Sequence, residues 1–240
     1  MKKCSVLIFI FFVWRLAAQP EANYDLLSVN EGLSQGMVFS ILESRDGFIW
    51  IATKDGLNRY DGYRFEIFSP DPFDPFAIAA SEVRHLHEDK RGWIWVGYDG
   101  GLDVFMPEKR RFFHLPIPAE QGFIGYIGRI VELPGGEVWV DSNGTLWRLD
   151  AVENGLKKAA AANLAFPDFK YTKIEPPASR SATGEFMFTP VFFTKDQSLI
   201  AGSNHGIYQI DLITAKLLPP PQPKEFGVPG SFLNPLGEGK

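Results

Sequence analysis

The chain has 240 residues, a formal net charge of −5 and a single cysteine, Cys4. The negative charge disfavours nucleic acid and anionic membrane as partners, because both repel an acidic surface. One cysteine excludes an intramolecular disulfide framework, so the fold must depend on apolar burial.

The N-terminus, residues 1–18, predicts a secretory signal. Two lysines precede an apolar run at residues 6–14, and Leu16-Ala17-Ala18 follows it. The apolar run is too short to span a bilayer as a mature helix, although an uncleaved anchor is the alternative. Cleavage removes both lysines and Arg15, which takes the formal charge from −5 to −8. We therefore expect a periplasmic or other extracytoplasmic location.

Residues 19–37 predict one strand without a blade of its own, followed by a linker. The strand, at residues 24–29, is similar to residues 65–69 and 112–116, which end the first two repeats described next. A strand of this kind completes the last blade of a closed ring and leaves no long sheet edge exposed.

Four copies of one pattern follow, and they predict the fold. The copies are 45, 44 and 61 residues apart, and in each a large apolar residue lies seven positions before a Leu or Ile. These pairs are Trp50/Leu57, Trp95/Leu102, Trp139/Leu146 and Ile200/Ile207. A period in the forties with short apolar runs is typical of a β-propeller with one four-stranded antiparallel blade per repeat. Because the pairs recur in every copy, we interpret them as structural core and not as a binding site.

The sequence therefore predicts an all-β chain with about four blades in an open arc. The expected blades span residues 38–69, 83–116, 128–175 and 186–218. Outside the repeat pattern, an alanine-rich insertion at residues 151–166 predicts a short helix or ordered loop. The Pro- and Gly-rich tail at residues 219–240 cannot enter a sheet interior.

The first copy resembles the two-component regulator propeller repeat. The resemblance is carried by Gly32-Leu33-Ser34, by Val38 and Ile41, and by residues 46–62, which read DGFIWIATKDGLNRYDG. Members of that family form periplasmic sensor regions of bacterial hybrid histidine kinases, with two seven-bladed propellers, a β-sandwich, a membrane helix and the kinase. The resemblance implies a periplasmic sensor in a phosphorelay, with this chain a fragment that is partial relative to a seven-bladed ring.

Four positions depart from that repeat. Ala52, Asp141 and Gln197 stand where the repeat prefers Gly, and Ile200 stands where it prefers Trp. Most of these departures fall in the later copies, so we expect the third and fourth blades to be less regular than the first two.

Three residues on predicted innermost strands are candidates for ligand binding: Arg84, His85 and Arg129. Side chains on these strands can face the central channel of a propeller. His85 and His87 also form a His-x-His pair, which can supply two metal ligands, but the spacing places no third ligand, so we predict no metal site. The sequence contains no Gly-rich phosphate loop, Gly-x-Ser-x-Gly or Cys/His pair. We therefore predict no catalytic residue and no cofactor.

Two classes of function compete on this evidence. The first is a binding module whose partners are a small-molecule ligand, which the resemblance implies is an oligosaccharide, and the remaining blades and kinase of a longer parent protein. The alternative is an extracytoplasmic propeller enzyme of lyase or glycosidase type, or a scaffold or adhesion propeller. The lack of a convergent acid pair or His cluster favours the binding module.

An open arc also leaves the first and fourth blades with an uncovered apolar face. Repeat arrays tolerate missing units only when their terminal repeats carry polar caps, and none is evident here. We therefore expect the isolated chain to be poorly stable and prone to self-association.

Overall fold

The computed structural model describes residues 26–115, 125–133, 135–152, 169–174, 187–195, 198–204 and 206–218, with the backbone alone at 189–195 and 198. The predicted signal, the core of the alanine-rich insertion, Gln197 and the Pro-rich tail lie outside these residues.

The described residues form four antiparallel sheets of four strands each, and every strand pairs with its neighbour along the chain. Blade 1 contains β1 (Val38–Glu43), β2 (Ile49–Thr53), β3 (Leu57–Tyr60) and β4 (Phe65–Phe68). Blade 2 contains β5 (Val83–Glu88), β6 (Ile94–Tyr98), β7 (Gly101–Met106) and β8 (Arg111–His114). Blade 3 contains β9 (Ile127–Glu132), β10 (Val138–Ser142), β11 (Thr145–Ala151) and β12 (Phe169–Lys173). Blade 4 contains β13 (Phe188–Lys195), β14 (Ser198–Ser203), β15 (Gly206–Asp211) and β16 (Leu217–Leu218). The predicted fold class is confirmed.

Each of the first three blades begins with the same hairpin. The turns between the first and second strands contain Gly47, Gly92 and Gly136, whose φ values of 87°, 84° and 93° lie in the left-handed region. Glycine adopts this conformation without a steric penalty, and a three-residue hairpin loop needs one such residue. The Gly in each copy of the pattern therefore fixes where the second strand starts.

The first strand of each blade is the innermost one. Strand β1 contacts β5, β5 contacts β9, and β9 contacts β13, so the four blades follow one another around an arc. Each innermost strand also contains a shift in its register with the second strand, as between Val83 and His85 in β5. Such bulges re-aim side chains at the edge of a sheet. This geometry places the bulged residues at the inner end of each blade.

Three apolar clusters lie between successive blades, and each includes the face of one blade that carries its Trp and Leu. Trp50, Trp95 and Trp139 are fully buried, and so are the paired residues Leu57, Leu102 and Leu146. Ile200 is also buried, although it belongs to none of the three clusters. Ile207, its partner in the repeat, is only partly buried.

The connection between blades 1 and 2 is held by one buried carboxylate, Asp103 in β7. Its Oδ2 accepts the backbone N–H of Ala79 at 2.9 Å, and its Oδ1 accepts the Tyr98 hydroxyl at 2.9 Å. The same Oδ1 lies 2.8 Å from His114 Nδ1. The hydrogen bond to Asp103 raises the pKa of His114, which favours the charged imidazolium. The carboxylate thus ties two strands of blade 2 to the preceding connection.

The described part of the predicted closing strand is not in a sheet. Tyr24 and Asp25 lie outside the described residues, and Val29–Glu31 form a short 3₁₀ helix. The local cause is a capping box, in which Ser28 accepts the N–H of Asn30 and Glu31 accepts the N–H of Ser28. This segment pairs with no strand among the described residues. Its role in closing a ring stays a prediction.

Candidate ligand-binding surface on the innermost strands

Arg84 lies at the bulge of β5, where its guanidinium contacts side chains from β1, from the residue before β5 and from the residue before β9. Its guanidinium carbon is 4.3 Å from the centre of the Phe39 ring and 5.5 Å from that of Tyr126. Glu82 forms an ion pair with the same guanidinium. Cations attract aromatic ring faces, so the two rings and the carboxylate together fix Arg84. Its side chain is 28% exposed, which leaves one edge open to solvent.

His85, the next residue of β5, is a neutral imidazole near pH 7. Burial lowers its pKa to about 4, and the positive charge of Arg129 and the neighbouring His87 add to the shift. Its Nδ1 is buried and has no hydrogen-bond partner within the described residues. A neutral imidazole has one donor and one acceptor nitrogen, so His85 retains an unused hydrogen-bonding position.

Arg129 is exposed in β9 and stands opposite Asp141 of β10 in the strand register. Its positive charge adds to the effect of burial in lowering the pKa of His85. The rings of Phe39 and Tyr126 lie beside Arg84, the third predicted residue. The ring of Tyr126 is 45% exposed.

Asp141 is a polar residue of this region that sequence analysis noted only as a departure from Gly. It is 4% exposed, and its Oδ1 has no partner within the described residues. Burial raises its pKa to about 6, while the N–H of Gly144 opposes that shift. A Cβ at Gly128 would lie 2.5 Å from Asp141 Oδ2. The carboxylate therefore occupies space that is available only because β9 has glycine at its bulge.

The acidic pair that follows His87 makes contacts within blade 2 and with blade 1. Burial lowers the pKa of His87, and its Nε2 has no partner in the part of the chain that the structure describes. Glu88 binds Arg45 of the preceding blade, and Asp89 accepts hydrogen bonds within its own turn. No three His, Cys, Asp or Glu residues among those described gather closely enough to hold a metal ion.

A second concave surface, a groove of about 390 Å³, lies on the outer strands of blade 1. Its charged groups compensate one another: Glu66 lies 2.5 Å from both Arg59 and Arg110, and Arg64 lies 3.5 Å from Asp61. Arg59 also stacks on Phe48, with 4.3 Å between the guanidinium carbon and the ring centre. We assign this groove a role in joining the outer edges of blades 1 and 2.

The repeat pattern does not mark Phe39 or Tyr126 as site residues, although it contains one signal for Phe39. Phe39 occupies the repeat position that Arg84 occupies in the next copy, so both residues lie at bulges of adjacent innermost strands. Tyr126 precedes β9 and carries no repeat signature. Its contact with Arg84 depends on how two blades are placed relative to one another.

The consecutive four-stranded meanders with adjacent innermost strands define a β-propeller arc. Residues 32–55 match the family model described as Two component regulator propeller. The chain therefore carries a two-component regulator propeller repeat, as the resemblance predicted. No helix among the described residues is long and apolar enough to cross a bilayer.

Known proteins similar to the chain include a histidine kinase, an extracellular domain of a hybrid two component system and a lyase. Histidine kinase P4 from Formosa agariphila is 38% identical over 77 residues, which are 31% of this chain and 6% of that protein. The extracellular domain of a hybrid two component system from B. thetaiotaomicron superposes with a TM-score of 0.61 at 20% identity, over 81% of this chain and 26% of that one. Virginiamycin B lyase from Staphylococcus aureus superposes with a TM-score of 0.54 at 16% identity, over 81% of this chain and 58% of that enzyme. At these identities the two structural similarities show the fold alone.

Proposed function

We propose that the chain is a ligand-sensing propeller segment of an extracytoplasmic sensor in two-component signalling. The observation that carries the proposal is the regulator propeller repeat, joined with the similarity to a histidine kinase over part of the chain. The match spans only 6% of that kinase, so the proposed kinase and further blades belong to a longer parent protein. In this role the propeller binds and the kinase acts elsewhere.

The proposed ligand site is the surface formed by Arg84, His85, Arg129, Phe39 and Tyr126. It combines an exposed aromatic ring and guanidinium donors with a neutral, partly buried imidazole. Aromatic faces stack on the apolar faces of sugars, and guanidinium and imidazole groups hydrogen-bond to hydroxyl or carboxylate oxygens. This chemistry suits a small polar ligand such as an oligosaccharide, which is also the class that the family resemblance implies.

Calorimetric titration of the purified chain with a panel of neutral and uronate-containing oligosaccharides tests the site. We expect Tyr126→Ala and Arg129→Ala each to weaken binding by about tenfold, the equivalent of roughly 1.4 kcal/mol. Tyr63→Ala and Arg64→Ala make the same chemical changes at exposed positions of blade 1 and serve as controls. Binding that is insensitive to both site variants would contradict the proposed surface.

Export is the second part of the proposal. It is supported by the N-terminal pattern at residues 1–18 and by the extracellular character of the hybrid two component system domain. Fractionation of cells that express the chain, with N-terminal sequencing of the exported product, tests it. Retention in the cytoplasm refutes export.

The enzyme alternative is tested with the same material. Incubation of the purified chain with each oligosaccharide, followed by product analysis, distinguishes binding from turnover. We expect the substrate to be recovered intact, and steady product formation would replace the sensor proposal with a catalytic one.

A further inference from the structure

The groove on the outer strands of blade 1 is a basic surface in an acidic chain. Three arginines and two carboxylates line it: Arg59, Arg64, Arg110, Asp61 and Glu66. Their charges leave one positive charge over, whereas the chain carries a formal net charge of −5. The groove volume of about 390 Å³ is within the range of about 300–1,000 Å³ that is typical of small-molecule pockets. Size and charge therefore both suit a small anionic ligand.

Arg59 is the most buried of the three arginines and is held by two aromatic rings. Its guanidinium carbon is 4.3 Å from the centre of the Phe48 ring and 5.8 Å from that of Trp50. Its side chain is 13% exposed, and its one polar contact among the described residues is an ion pair with Glu66. A guanidinium has five N–H donors. The donors that Glu66 does not use therefore face the groove, which Arg59 lines.

The same repeat position in blade 3 shows how an arginine joins two blades. Arg59 and Arg148 each stand opposite the repeat tryptophan of their own blade, and their side chains are similarly shielded, at 13% and 15% exposed. Arg148 donates to the carbonyl oxygens of Leu212 and Ile213 in the turn between β15 and β16, at 3.0 and 3.4 Å. Arg59 makes no such contact with the corresponding turn of blade 2 in the part of the chain that the structure describes. Joining blades through turn carbonyls therefore does not account for its burial.

Arg110 lies in that turn of blade 2, at a position where the turn does not require an arginine. Its φ of 52° is in the left-handed region, which is uncommon for residues other than glycine, and its N–H donates to the carbonyl of Met106. In the corresponding turn of blade 4, Ala215 has a φ of 54° and makes the same backbone hydrogen bond to Asp211. A methyl side chain is therefore sufficient for the turn. The guanidinium of Arg110, whose side chain is 60% exposed, is free to serve the groove.

The carboxylate of Glu66 shows how the groove holds an oxyanion. Its Oε2 is 2.5 Å from Arg59 Nη2, and its Oε1 is 2.5 Å from Arg110 Nη2. Two guanidiniums thus bracket one carboxylate, and arginine recognises carboxylate and phosphate groups through such charge-assisted hydrogen bonds. Arg64 is 88% exposed and pairs with Asp61, so we assign it no direct part.

We propose that this groove binds a small ligand through a phosphate group, at a site separate from the surface on the innermost strands. Arg59 and Arg110 bind the phosphate oxygens with the donors that Glu66 leaves unused, and the rings of Phe48 and Phe65 contact the remainder of the ligand. A phosphate group suits two guanidiniums better than a second carboxylate does, because it offers three acceptor oxygens and up to two negative charges. Glu66 competes with the ligand for both guanidiniums and limits its affinity. The proposal does not rest on the sensor function.

Calorimetric titration of the purified full chain in phosphate-free buffer tests the site. The probes are inorganic phosphate and glucose 6-phosphate, with glucose as the neutral control. We expect at least one of the two phosphates to bind with a Kd below about 1 mM and to bind more tightly than glucose. Tighter binding of glucose 6-phosphate supports a site for phosphate esters, and tighter binding of inorganic phosphate supports a site for the free anion. Lack of saturable binding by both phosphates, or equally tight binding of glucose, overturns the proposal.

Neutralising Arg110 tests whether the groove holds the phosphate. Arg110→Gln is expected to weaken phosphate binding by about tenfold. Arg111→Gln removes the same charge one residue further on, where the guanidinium carbon lies 4.4 Å from the centre of the Phe76 ring and does not line the groove. This control should change the affinity less than about twofold, because solvent and salt screen an exposed charge. Thermal unfolding of both variants verifies that they are folded, and equal effects of the two changes overturn the proposal.

Glu66→Gln is expected to have the opposite effect. It retains the shape of the side chain and removes the competing charge, so phosphate affinity should rise by about tenfold. If the charges of the groove serve only to join the blades, the variant loses stability without a gain in phosphate affinity, and that result overturns the proposal. Arg129→Ala on the innermost strands should leave phosphate binding unchanged. If Arg129→Ala abolishes binding and Arg110→Gln does not, phosphate occupies the inner surface and the assignment to the groove is wrong.

Discussion

Replacing Asp89 with alanine tests how blade 2 holds its central tryptophan. The Asp89 carboxylate is buried in the turn after β5 and accepts the Trp95 indole N–H at 3.0 Å. It also accepts the backbone N–H groups of Arg91 and Trp93 at 2.9 and 3.1 Å, and it binds the Arg91 guanidinium. The neighbouring blades keep this arrangement only in part. In blade 1 the Trp50 indole N–H donates to Ser44, whereas in blade 3 the buried indole N–H of Trp139 has no partner among the described residues.

The expected cost follows from what each donor does without the carboxylate. The indole of Trp95 is buried, and a buried donor without an acceptor costs about 1–3 kcal/mol. The side chain of Arg91 is about one-third exposed, so it regains hydrogen bonds to water and adds little. With the loss of the turn hydrogen bonds, we expect Asp89→Ala to lower the free energy of unfolding by about 2–4 kcal/mol. Asp89→Asn retains one acceptor oxygen and is expected to cost less.

Urea unfolding followed by tryptophan fluorescence measures this difference as a shift in the midpoint at constant m-value. Asp99→Ala removes an exposed carboxylate from the turn between β6 and β7, and this control should change the free energy of unfolding by less than about 0.5 kcal/mol. If Asp89→Ala lowers the free energy of unfolding no more than the control does, the Asp89 carboxylate does not stabilise Trp95 in the fold.

Three further predictions concern other polar contacts of blades 2 and 3. The pKa of His114 is raised in the folded chain, so its bond to Asp103 stabilises the fold fully below pH 6.5 and less as the pH rises through the folded pKa. The difference in melting temperature between wild type and His114→Gln should therefore narrow as the pH rises, and a difference that is constant with pH would contradict this. Gly128→Ala should destabilise the fold by about 1–3 kcal/mol in chemical unfolding, because the added Cβ meets the Asp141 carboxylate. The additional change Asp141→Gly should recover most of that loss, and additive costs of the two changes would exclude this steric cause. The pKa of Asp141 is raised to about 6, so its ionisation opposes folding above that pH. Asp141→Asn should therefore raise the melting temperature at neutral pH, and this increase should shrink as the pH falls from 6 towards 3.8. An increase that does not change with pH would refute the raised pKa.

The blade positions were accessible from the sequence because each blade repeats the same local chemistry. The Gly of the first hairpin sets the turn, and the Trp and Leu seven residues apart occupy the face that packs on the next blade. These are short-range patterns, so they survive in the third copy, where Trp139 and Leu146 are as buried as their counterparts. Ile207 follows the same spacing but is only partly buried, so spacing alone does not decide burial.

The candidate site was only partly accessible from the sequence. Arg84, His85 and Arg129 were placed on innermost strands by the repeat, but the rings that hold Arg84 come from two other blades. The burial of Asp141 likewise depends on Gly128, which lies beside it in the paired strand β9. The described part of the predicted strand at residues 24–29 leads into the capped 3₁₀ helix Val29–Glu31, and its role in closing a ring stays a prediction. Interactions between distant segments decide these features, and a local pattern does not encode them.

The basic residues of the first two hairpin turns couple each blade to its successor. Arg45 donates to Glu88 of β5, and Lys90 donates to Glu132 of β9. Each contact reaches from the turn of one blade to the innermost strand of the next. A substitution at Arg45 or Lys90 therefore alters a junction between blades as well as a hairpin.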